Sequence, residues 1–281
     1  MKKTMFLLGG LVISLATTAQ IKTPQLSPKS EVEQTVGLTE FDVEYARPSL
    51  RGRDLHKDIL PYGDAWRFGA NKNTTISFDT DINFGGVDVK AGEYAMYATP
   101  DKESWKITLY KDTENWGLPA KWDNSKVVAE INVPVQESKE VIETFTISFQ
   151  NLDVNHFDLV VEWGKTLLPI KVKLPTVELT LASIKKGMKG SPTERDYYSS
   201  ASYYLTSNVE LEDALKYINK AIELNGDAPF YYINKKAYIL KALGKDKEAI
   251  ESAKLSLEKA KKAGNNDYVR MNEAIIKELS K

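Results

Sequence analysis

Cysteine is absent from the 281-residue chain, and this absence excludes several kinds of chemistry at once. Without cysteine the protein has no disulfide, no thiolate metal site, no cysteine nucleophile and no lipidated cysteine of the bacterial lipoprotein type. Its stability must therefore come from the burial of its core. Hydrophobic residues make up 42% and charged residues 27% of the chain, which is typical of a globular protein. We expect no cofactor.

Histidine is almost as scarce, since His56 and His156 are the only two in the sequence. Two histidines cannot build a three-histidine zinc site, so we expect no metal centre, although a mixed site with carboxylates is compatible with the sequence. His56 lies between Asp54 and Asp58 and is a weak candidate for a catalytic general base. It is accompanied by no G-x-S-x-G nucleophile motif and by no phosphate-binding glycine loop.

Long apolar runs are also lacking, and the one short run lies near the start of the chain. Lys2 and Lys3 precede apolar residues 6–16, a run too short for a spanning helix, which needs about 20 residues. Small residues follow, and the whole pattern is typical of an export signal. We predict a signal peptide over residues 1–19 and a periplasmic or secreted protein with no stable membrane anchor. An uncleaved anchor is the alternative.

Alternation with a period of two residues dominates the next part of the sequence. Residues 39–45 alternate apolar and acidic side chains, as expected for a strand with one buried face. Gly85 and Gly86 separate two alternating runs and predict a hairpin. Further candidate strands, among them residues 157–163 and 167–174, recur with a spacing typical of a sandwich or barrel. We predict an antiparallel, jelly-roll-like β-sandwich over residues 30–175, preceded by an extension at residues 20–29.

Residues 47–71 interrupt this alternation and are rich in proline, glycine and arginine. Four of the six arginines in the chain lie here, whereas positive charge elsewhere is almost entirely lysine. Arginine suits bidentate binding of carboxylate or phosphate, and long loops in compact domains are often functional. We therefore predict a pocket for a small anionic or glycan-like ligand. Its candidate residues are Arg47, Arg51, Arg53, Tyr62, Trp66, Arg67 and Asn71.

Two alternatives to this binding loop stay open. In the first, the arginines pair with Asp54, Asp58 and Asp64 and pin an irregular segment to the sheet, so that the loop is scaffold. In the second, the protein is a cell-envelope hydrolase that uses His56 or a carboxylate pair in the same loop, because such carboxylates need only spatial proximity. We favour an exported, non-catalytic binding or interaction protein.

The same segment contains an extended sequence motif. The sequence YARPSLRGR at residues 45–53, PYGDAWRFGAN at residues 61–71 and the later pair Trp116-Gly117 resemble the signature of a secreted bacterial family. That family is common in Bacteroidetes and is catalogued as domain of unknown function 2911. The resemblance covers about residues 25–173. It implies a periplasmic or secreted β-domain and no particular activity, so it assigns no catalytic residue.

After Pro175 the apolar period becomes that of a helix. Val177, Leu181 and Ile184 share one helical face, and Ser191-Pro-Thr-Glu194 predicts a capping box at the next helix start. Glycine or asparagine separates five predicted helices at 192–207, 210–224, 229–243, 245–263 and 266–280. Similar sequences recur 35 residues apart, at 212–215 and 247–250, as in tetratricopeptide-like repeats. We predict an all-α array of helix hairpins over residues 176–281.

Arrays of this kind bind peptides or proteins in a concave groove. Tyrosine combines a large contact area with a polar tip, so the candidate partner-binding residues are Tyr198, Tyr204, Tyr231 and Tyr232. In the alternative, the helices pack on the β-domain and extend its core. The net charge of −1 and the lack of a strongly basic segment argue against nucleic acid as a partner.

Overall fold

A computed structural model of the protein describes residues 23–281, so the predicted signal peptide and its cleavage site lie outside the described residues. Ten strands lie between residues 29 and 173, and six helices follow between residues 176 and 279. No helix in this described part is long and apolar enough to cross a membrane. The predicted class, an antiparallel β-sandwich followed by an all-α region, is confirmed.

The β-region consists of two antiparallel sheets. The first contains β1 (Lys29–Val36), β2 (Thr39–Ala46), β3 (Thr74–Phe78), β6 (Gly92–Thr99), β7 (Ser104–Tyr110) and β8 (Val127–Pro134), in that order. The second contains β5 (Val87–Val89), β4 (Ile82–Phe84), β10 (His156–Lys173) and β9 (Gln136–Gln150), again in spatial order. The predicted hairpin at Gly85 and Gly86 joins β4 to β5. This hairpin belongs to the second sheet, although in the chain it lies between β3 and β6, which are neighbours in the first sheet.

The inner faces of the two sheets share one apolar core. The rings of Phe41 in β2 and Phe157 in β10 have centroids 4.9 Å apart, in an edge-to-face contact. The buried Tyr45 hydroxyl donates to the carbonyl of Ile147 at 3.2 Å and accepts from its N–H at 3.1 Å. In the first sheet, strands that follow one another along the chain lie side by side, and only the β4–β5 hairpin leaves this sheet for the second. This strand order makes the jelly-roll-like expectation more specific.

Two strand boundaries differ from the sequence prediction. The alternation predicts no strand before residue 39, whereas β1 begins at Lys29. This strand lies at the sheet edge and only Val36 is buried in it, so it carries almost no apolar signal. Conversely, two predicted strands near residues 157–163 and 167–174 form the single strand β10. Gly164 shifts the register with β9 without ending the strand.

The helices begin and end within two residues of their predicted positions. They are α1 (Thr176–Gly187), α2 (Glu194–Thr206), α3 (Leu211–Asn225), α4 (Phe230–Ala242), α5 (Asp246–Lys262) and α6 (Asn266–Leu279). Helix α2 starts later than predicted because Thr193, not Ser191, forms the capping box with Asp196. Helix α2 packs on α3 and α4 packs on α5, which repeats one hairpin unit, and α6 packs on both α5 and α4.

The helical region has a core of its own. Ala201, Ala214 and Ile218 are buried there, and Leu181 and Ile184 of α1 pack against the same cluster. Within residues 23–281, no apolar cluster combines side chains of the strands with side chains of the helices. The helices therefore pack on one another and do not extend the core of the sandwich.

The two regions touch where α1 begins. The Thr176 hydroxyl donates to the carbonyl of Val154, in the turn between β9 and β10. Gly37, in the β1–β2 turn, has a φ of +60° and lies against both groups. A Cβ atom at this position would overlap the Thr176 hydroxyl and the Val154 carbonyl oxygen. The close approach therefore requires glycine for space as well as for backbone conformation.

Candidate functional site

The arginine-rich segment begins by pairing with β9. The N–H of Leu50 donates to the carbonyl of Glu143 at 2.9 Å, and the N–H of Phe145 donates to the carbonyl of Pro48 at 2.8 Å. Arg47 reinforces this pairing, since its Nε donates to the Phe145 carbonyl at 3.1 Å. Its Nη2 also donates to the Thr146 hydroxyl at 2.7 Å. Arg47 thus fixes the start of the segment to the second sheet.

The next two arginines also donate to backbone carbonyls. Arg53 donates to the carbonyls of Leu50 at 2.9 Å and Ser49 at 3.0 Å. Arg51, which is exposed, donates to the carbonyl of Leu26 at 2.7 Å. Among residues 23–281, none of the four guanidinium groups of this segment forms an ion pair. The scaffold alternative predicted aspartates as the partners of these arginines. In the structure their partners are backbone carbonyls.

Two of the aspartates, Asp54 and Asp58, stabilise a short turn instead. Asp54 caps the π-helical turn Leu55–Ile59 by accepting from the N–H groups of His56 at 3.0 Å and Lys57 at 2.9 Å. The hydrogen bond from Lys57 is the main reason that the pKa of Asp54 is lowered. Asp58 accepts from the N–H of Asp54 at 2.8 Å and closes the turn.

His56 and Tyr62, two predicted site residues, form a stacked pair. Their rings have centroids 4.3 Å apart and planes within 21° of each other. Nδ1 of His56 lies 3.1 Å from the carbonyl of Leu60, which can only accept, so Nδ1 carries the proton in this contact. No hydrogen bond within the described chain joins the His56 ring to a carboxylate. The geometry thus gives this histidine no acidic partner of the kind used in general-base catalysis.

Trp66 contacts the core of the sandwich. Its backbone pairs with Ala98 in β6, through hydrogen bonds of 2.7 and 2.9 Å. Its indole stacks on Trp163 of β10, with centroids 5.6 Å apart, and its Nε1 donates to the Gly69 carbonyl at 3.0 Å. This side chain therefore connects the segment to both sheets.

Arg67 and Asn71 join three separate parts of the chain. Nη1 of Arg67 donates to the carbonyl of Asn71 at 2.9 Å, and its guanidinium lies against Gly117 in the connection between β7 and β8. Nδ2 of Asn71 contacts the chain before β1, at 3.1 Å from Oε1 of Gln25 and 3.2 Å from the carbonyl of Ser27. The end of the arginine-rich segment is thereby fixed beside two surface segments.

These three segments and the outer face of β2 enclose a cavity of about 170 Å³, here called the Asn73 pocket. Alternation along β2 places Val43 and Tyr45 in the core, so Glu44 faces outward into the pocket. The side chains that supply its polar groups and its aromatic wall are Gln25, Lys29, Glu44, Asn71, Lys72, Asn73 and Trp116. Of the predicted ligand-binding residues, Asn71 alone lines it.

The charged groups of the Asn73 pocket are paired with one another or with a neighbour. Nζ of Lys29 lies 2.6 Å from a carboxylate oxygen of Glu44, and this hydrogen bond raises the pKa of Lys29. Nζ of Lys72 lies 3.2 Å from a carboxylate oxygen of Glu114. The pocket is therefore polar without a strong net charge.

Asn73 is the buried polar side chain of the pocket, with 3% of its surface exposed. Its N–H donates to the carbonyl of Asn115 at 3.0 Å, which fixes it to the β7–β8 connection. Its Nδ2 makes a long contact of 3.3 Å with the carbonyl of Thr74, and its Oδ1 has no partner within the described residues. An unpaired buried acceptor of this kind costs about 1–3 kcal/mol.

Trp116 forms the outer wall of the pocket and is 73% exposed. It belongs to the β7–β8 connection, residues 111–126, whose other tryptophan anchors the connection to the sheet. Trp122 packs on Tyr110 and Tyr97 of the outer sheet face, with centroids 4.7 and 5.5 Å apart. The connection is therefore fixed by one indole while the other stays accessible. An exposed large aromatic beside convergent polar groups is a feature of binding sites.

Sequence reasoning missed most of this pocket. Trp116 could have been identified from the sequence, because an aromatic residue in a segment of glycine, proline and asparagine has no strand face to bury it. Asn73 could not, since its role depends on burial against a segment some 40 residues later in the chain. The pairing of Lys29 with Glu44 depends on β1, which the alternation did not predict.

Three carboxylates cluster elsewhere on the outer face of the first sheet. Ligand oxygens of Glu31, Glu33 and Asp42 lie within 4.8 Å of one another, and Glu33 is directly opposite Asp42 in the β1–β2 ladder. Partial burial, followed by a hydrogen bond with Glu31, raises the pKa of Asp42. Such oxygens suit a hard cation, but here they mainly repel one another.

The predicted partner-binding tyrosines are partly core residues. Tyr232 and Tyr204 are buried, and burial raises the pKa of each hydroxyl. Tyr198 stacks on Tyr232 with centroids 4.2 Å apart, and Tyr231 meets both rings edge-on. Tyr231 is the exposed member of the four, with 37% of its surface accessible.

The fold and this pocket define an α+β protein with segregated regions, in which a two-sheet sandwich with a polar surface pocket precedes a helical repeat region. Residues 27–172 match the family model described as "Protein of unknown function (DUF2911)", and the chain belongs to this family. The predicted family is thereby confirmed. The match extends from just before β1 almost to the end of β10 and leaves the helices outside. The chain matches no curated protein and no solved structure.

Proposed function

We propose that this protein is an exported, non-catalytic binding protein whose sandwich holds a small polar ligand in the Asn73 pocket. The observation that carries the proposal is the exposed indole of Trp116 at the wall of a cavity lined by polar side chains. The indole supplies contact area for a ligand whose polar groups meet this lining.

The contacts made by the acidic and basic side chains agree with a non-catalytic role. Glu44, a carboxylate that lines the pocket, is held by Lys29 at 2.6 Å. His56 is stacked on Tyr62 and bonded to a carbonyl. Neither group has the free proton-transfer partner that hydrolysis of a glycoside or ester requires.

The arginine-rich segment supports the pocket in this proposal. Asn71 lines it directly, and Arg67 positions Asn71 and the β7–β8 connection. Arg47, Arg51 and Arg53 hold the earlier part of the segment through backbone carbonyls. Trp66 anchors the same segment in the core.

The helical region is the proposed partner-binding part, with hairpins of the tetratricopeptide type. The repetition of the α2–α3 hairpin as α4–α5 supports this assignment. An aromatic row supports it further, because Tyr198, Phe230, Tyr231 and Tyr268 link α2, α4 and α6 in sequence. The pattern of residues 1–19 supports export to the periplasm or beyond.

A thermal-shift screen tests the ligand-binding proposal. The chain without its predicted signal peptide is heated with sugars, uronic acids, dicarboxylates, phosphate and peptides. A ligand at 100 times its dissociation constant adds about 2.7 kcal/mol to the stability of the state that binds it. We expect Trp116→Ala to abolish the shift and Leu118→Ala, a change at an exposed apolar residue of the same connection, to preserve it. A shift that survives Trp116→Ala would place the ligand elsewhere.

A further inference from the structure

We infer that the helical region binds an acidic segment of a partner polypeptide, and that one aspartate or glutamate carboxylate of this segment pairs with Lys235 of α4. The inference rests on the proposed partner-binding role of the helices, because it names the chemistry of that partner. Its evidence is the position of Lys235, its lack of a carboxylate partner and the tyrosines beside it.

Lys235 lies on the open face of α4. Along this helix, the ring of Tyr232 contacts α2 and the amide of Asn234 contacts α6. Tyr231 and Lys235 are one helical turn apart, so their side chains share a stripe between these two directions. Tyr231 is exposed, which shows that this stripe faces away from the helical core. Lys235 is therefore on the surface of α4 that lies between α2 and α6.

The ammonium group of Lys235 has no partner. Several half-buried lysines of the helices form ion pairs, since Nζ of Lys241 lies 2.6 Å from Glu278 and Nζ of Lys259 lies 2.6 Å from Asp227. Lys235 is half-buried as well, but within residues 23–281 it forms neither an ion pair nor a hydrogen bond. Burial lowers the pKa of Lys235, and no charged group of the described chain offsets this effect.

An ammonium group that is partly removed from water without a partner is unfavourable. A carboxylate within hydrogen-bond distance removes this cost and forms a charge-assisted hydrogen bond. The nitrogen of Lys235 keeps accessible surface, so a ligand can reach it. One free ammonium balances one carboxylate, whereas nucleic acids and anionic membranes are bound by several cations side by side. The missing partner is therefore a single carboxylate.

The aromatic row beside Lys235 favours a polypeptide as the carrier of this carboxylate. Tyr231 meets Tyr198 of α2 with centroids 5.8 Å apart, and Phe230 meets Tyr268 of α6 at 4.8 Å. The row thus crosses three helices on either side of the free ammonium. Tyrosine combines a large contact area with a polar tip, which suits the mixed apolar and amide surface of a peptide chain.

The test measures binding by fluorescence anisotropy with labelled nine-residue peptides. Every probe has blocked ends, a central glutamate and flanking residues drawn from tyrosine, leucine, serine and glycine, and a matched set has glutamine at the centre. We expect glutamate probes to bind and their glutamine counterparts to bind at least about tenfold more weakly. Lys235→Met keeps an apolar stem and removes the charge, so it should reduce the affinity of each glutamate probe to that of its glutamine counterpart.

Lys236→Met is the matched control. Lys236 is also half-buried and outside any ion pair of the described residues, but it lies on the stripe of Tyr232 and Ile239, which pack into the helical core. We expect this change to leave the preference for glutamate intact. The melting temperature adds a second readout, because removal of an unpaired charge should leave it unchanged or raise it. A lower melting temperature for Lys235→Met would show that the ammonium has a structural partner.

The outcomes separate this inference from the proposed function. If glutamate and glutamine probes bind equally and Tyr231→Ala removes both, the carboxylate is wrong and the helices remain a partner-binding surface. If no probe binds, the inference and the partner-binding role of the helices both fail, and the Asn73 pocket is decided by the thermal-shift screen alone. If phosphatidylglycerol vesicles bind in place of the probes and Lys235→Met abolishes this binding, the partner is a membrane and the inference is overturned.

Discussion

Trp66 and Trp163 stack across the interior of the sandwich, with ring centroids 5.6 Å apart and planes within 21°. Trp66 lies in the arginine-rich segment and Trp163 in β10, so one contact connects an irregular segment to the longest strand. Phe145 of β9 meets the same indole edge-on at 5.1 Å. The segment is therefore held from inside the core as well as along its backbone.

Replacement of Trp66 by alanine should destabilise the sandwich strongly. The change removes the stacking contact and leaves a cavity, and because Trp66 is half-buried the loss should lie at or below the low end of the about 3–5 kcal/mol of a fully buried tryptophan. Urea unfolding monitored by circular dichroism measures the loss. Trp116→Ala is the matched control, since an exposed tryptophan should change the free energy of unfolding by about 0.5 kcal/mol or less. Equal effects of the two changes would contradict the core role of Trp66.

Gly37→Ala should weaken the contact between the sandwich and α1. The new Cβ would overlap the Thr176 hydroxyl and the Val154 carbonyl, at a φ of +60° that disfavours alanine. We expect a loss of more than about 1 kcal/mol, together with faster proteolysis near residue 175. Gly264→Ala has a similar φ of +67° but no atom within 4 Å of the new Cβ, so it measures the backbone strain alone. Identical losses at the two positions would show that the contact contributes nothing.

Asp42→Asn should stabilise the protein at neutral pH. Because the folded state raises the pKa of Asp42, the folded chain binds this proton more tightly than the unfolded chain. This tighter proton binding stabilises the folded state at pH values below about 3.9, the pKa of Asp42 in the unfolded chain. The stabilisation is lost as the pH rises through the higher pKa that Asp42 has in the folded chain. At pH 7 the charged carboxylate opposes Glu33, so its removal should raise the melting temperature by about 1–3 °C.

The pH dependence distinguishes this effect from a general loss of charge. The gain from Asp42→Asn should shrink as the pH falls and vanish near pH 3, where the carboxyl group is protonated in both states. Glu93→Gln removes one exposed negative charge outside the cluster and serves as the control. A gain that is constant between pH 3 and pH 7 would refute the assignment to Asp42 ionisation.

A buried amide chain makes the helical region sensitive to Asn272. Its Oδ1 accepts from Asn234 at 2.9 Å and its Nδ2 donates to Ser256 at 2.9 Å, which links α4, α5 and α6. Asn272→Leu leaves the Asn234 amide unpaired, which costs about 1–3 kcal/mol, while the Ser256 hydroxyl keeps its donation to the Phe230 carbonyl at 2.8 Å. Addition of Asn234→Leu should recover part of this loss in a double-mutant cycle. Strict additivity of the two losses would exclude the proposed coupling.

Elements with a strong local pattern were predictable from the sequence. Strand β2 alternates over its whole length, and Gly85 with Gly86 specifies a hairpin, so both were predicted correctly. The helices were predictable because each has an apolar face and a glycine or asparagine separates each helix from the next. Strand β1 was not, because it lies at an edge and pairs mainly through its backbone.

The arginine-rich segment shows why the site was harder to predict than the fold. The sequence draws attention to the segment through composition, but it does not show which groups each arginine contacts. Arg47 and Arg53 donate to carbonyls, and a backbone carbonyl is present at every residue, so no sequence pattern marks these partners. The proposed pocket depends on long-range proximity between Asn73, Lys29 and Trp116, which lie on different segments.

The separate cores of the two regions have a practical consequence for calorimetry. We expect each core to melt as its own cooperative unit, so heating should produce two overlapping heat-absorption peaks. A ligand held in the sandwich would move only the peak of the strands, and the peak of the helices would act as an internal reference in the same scan. A protein that engages the helices would move the other peak, so one thermogram reports which region has been occupied.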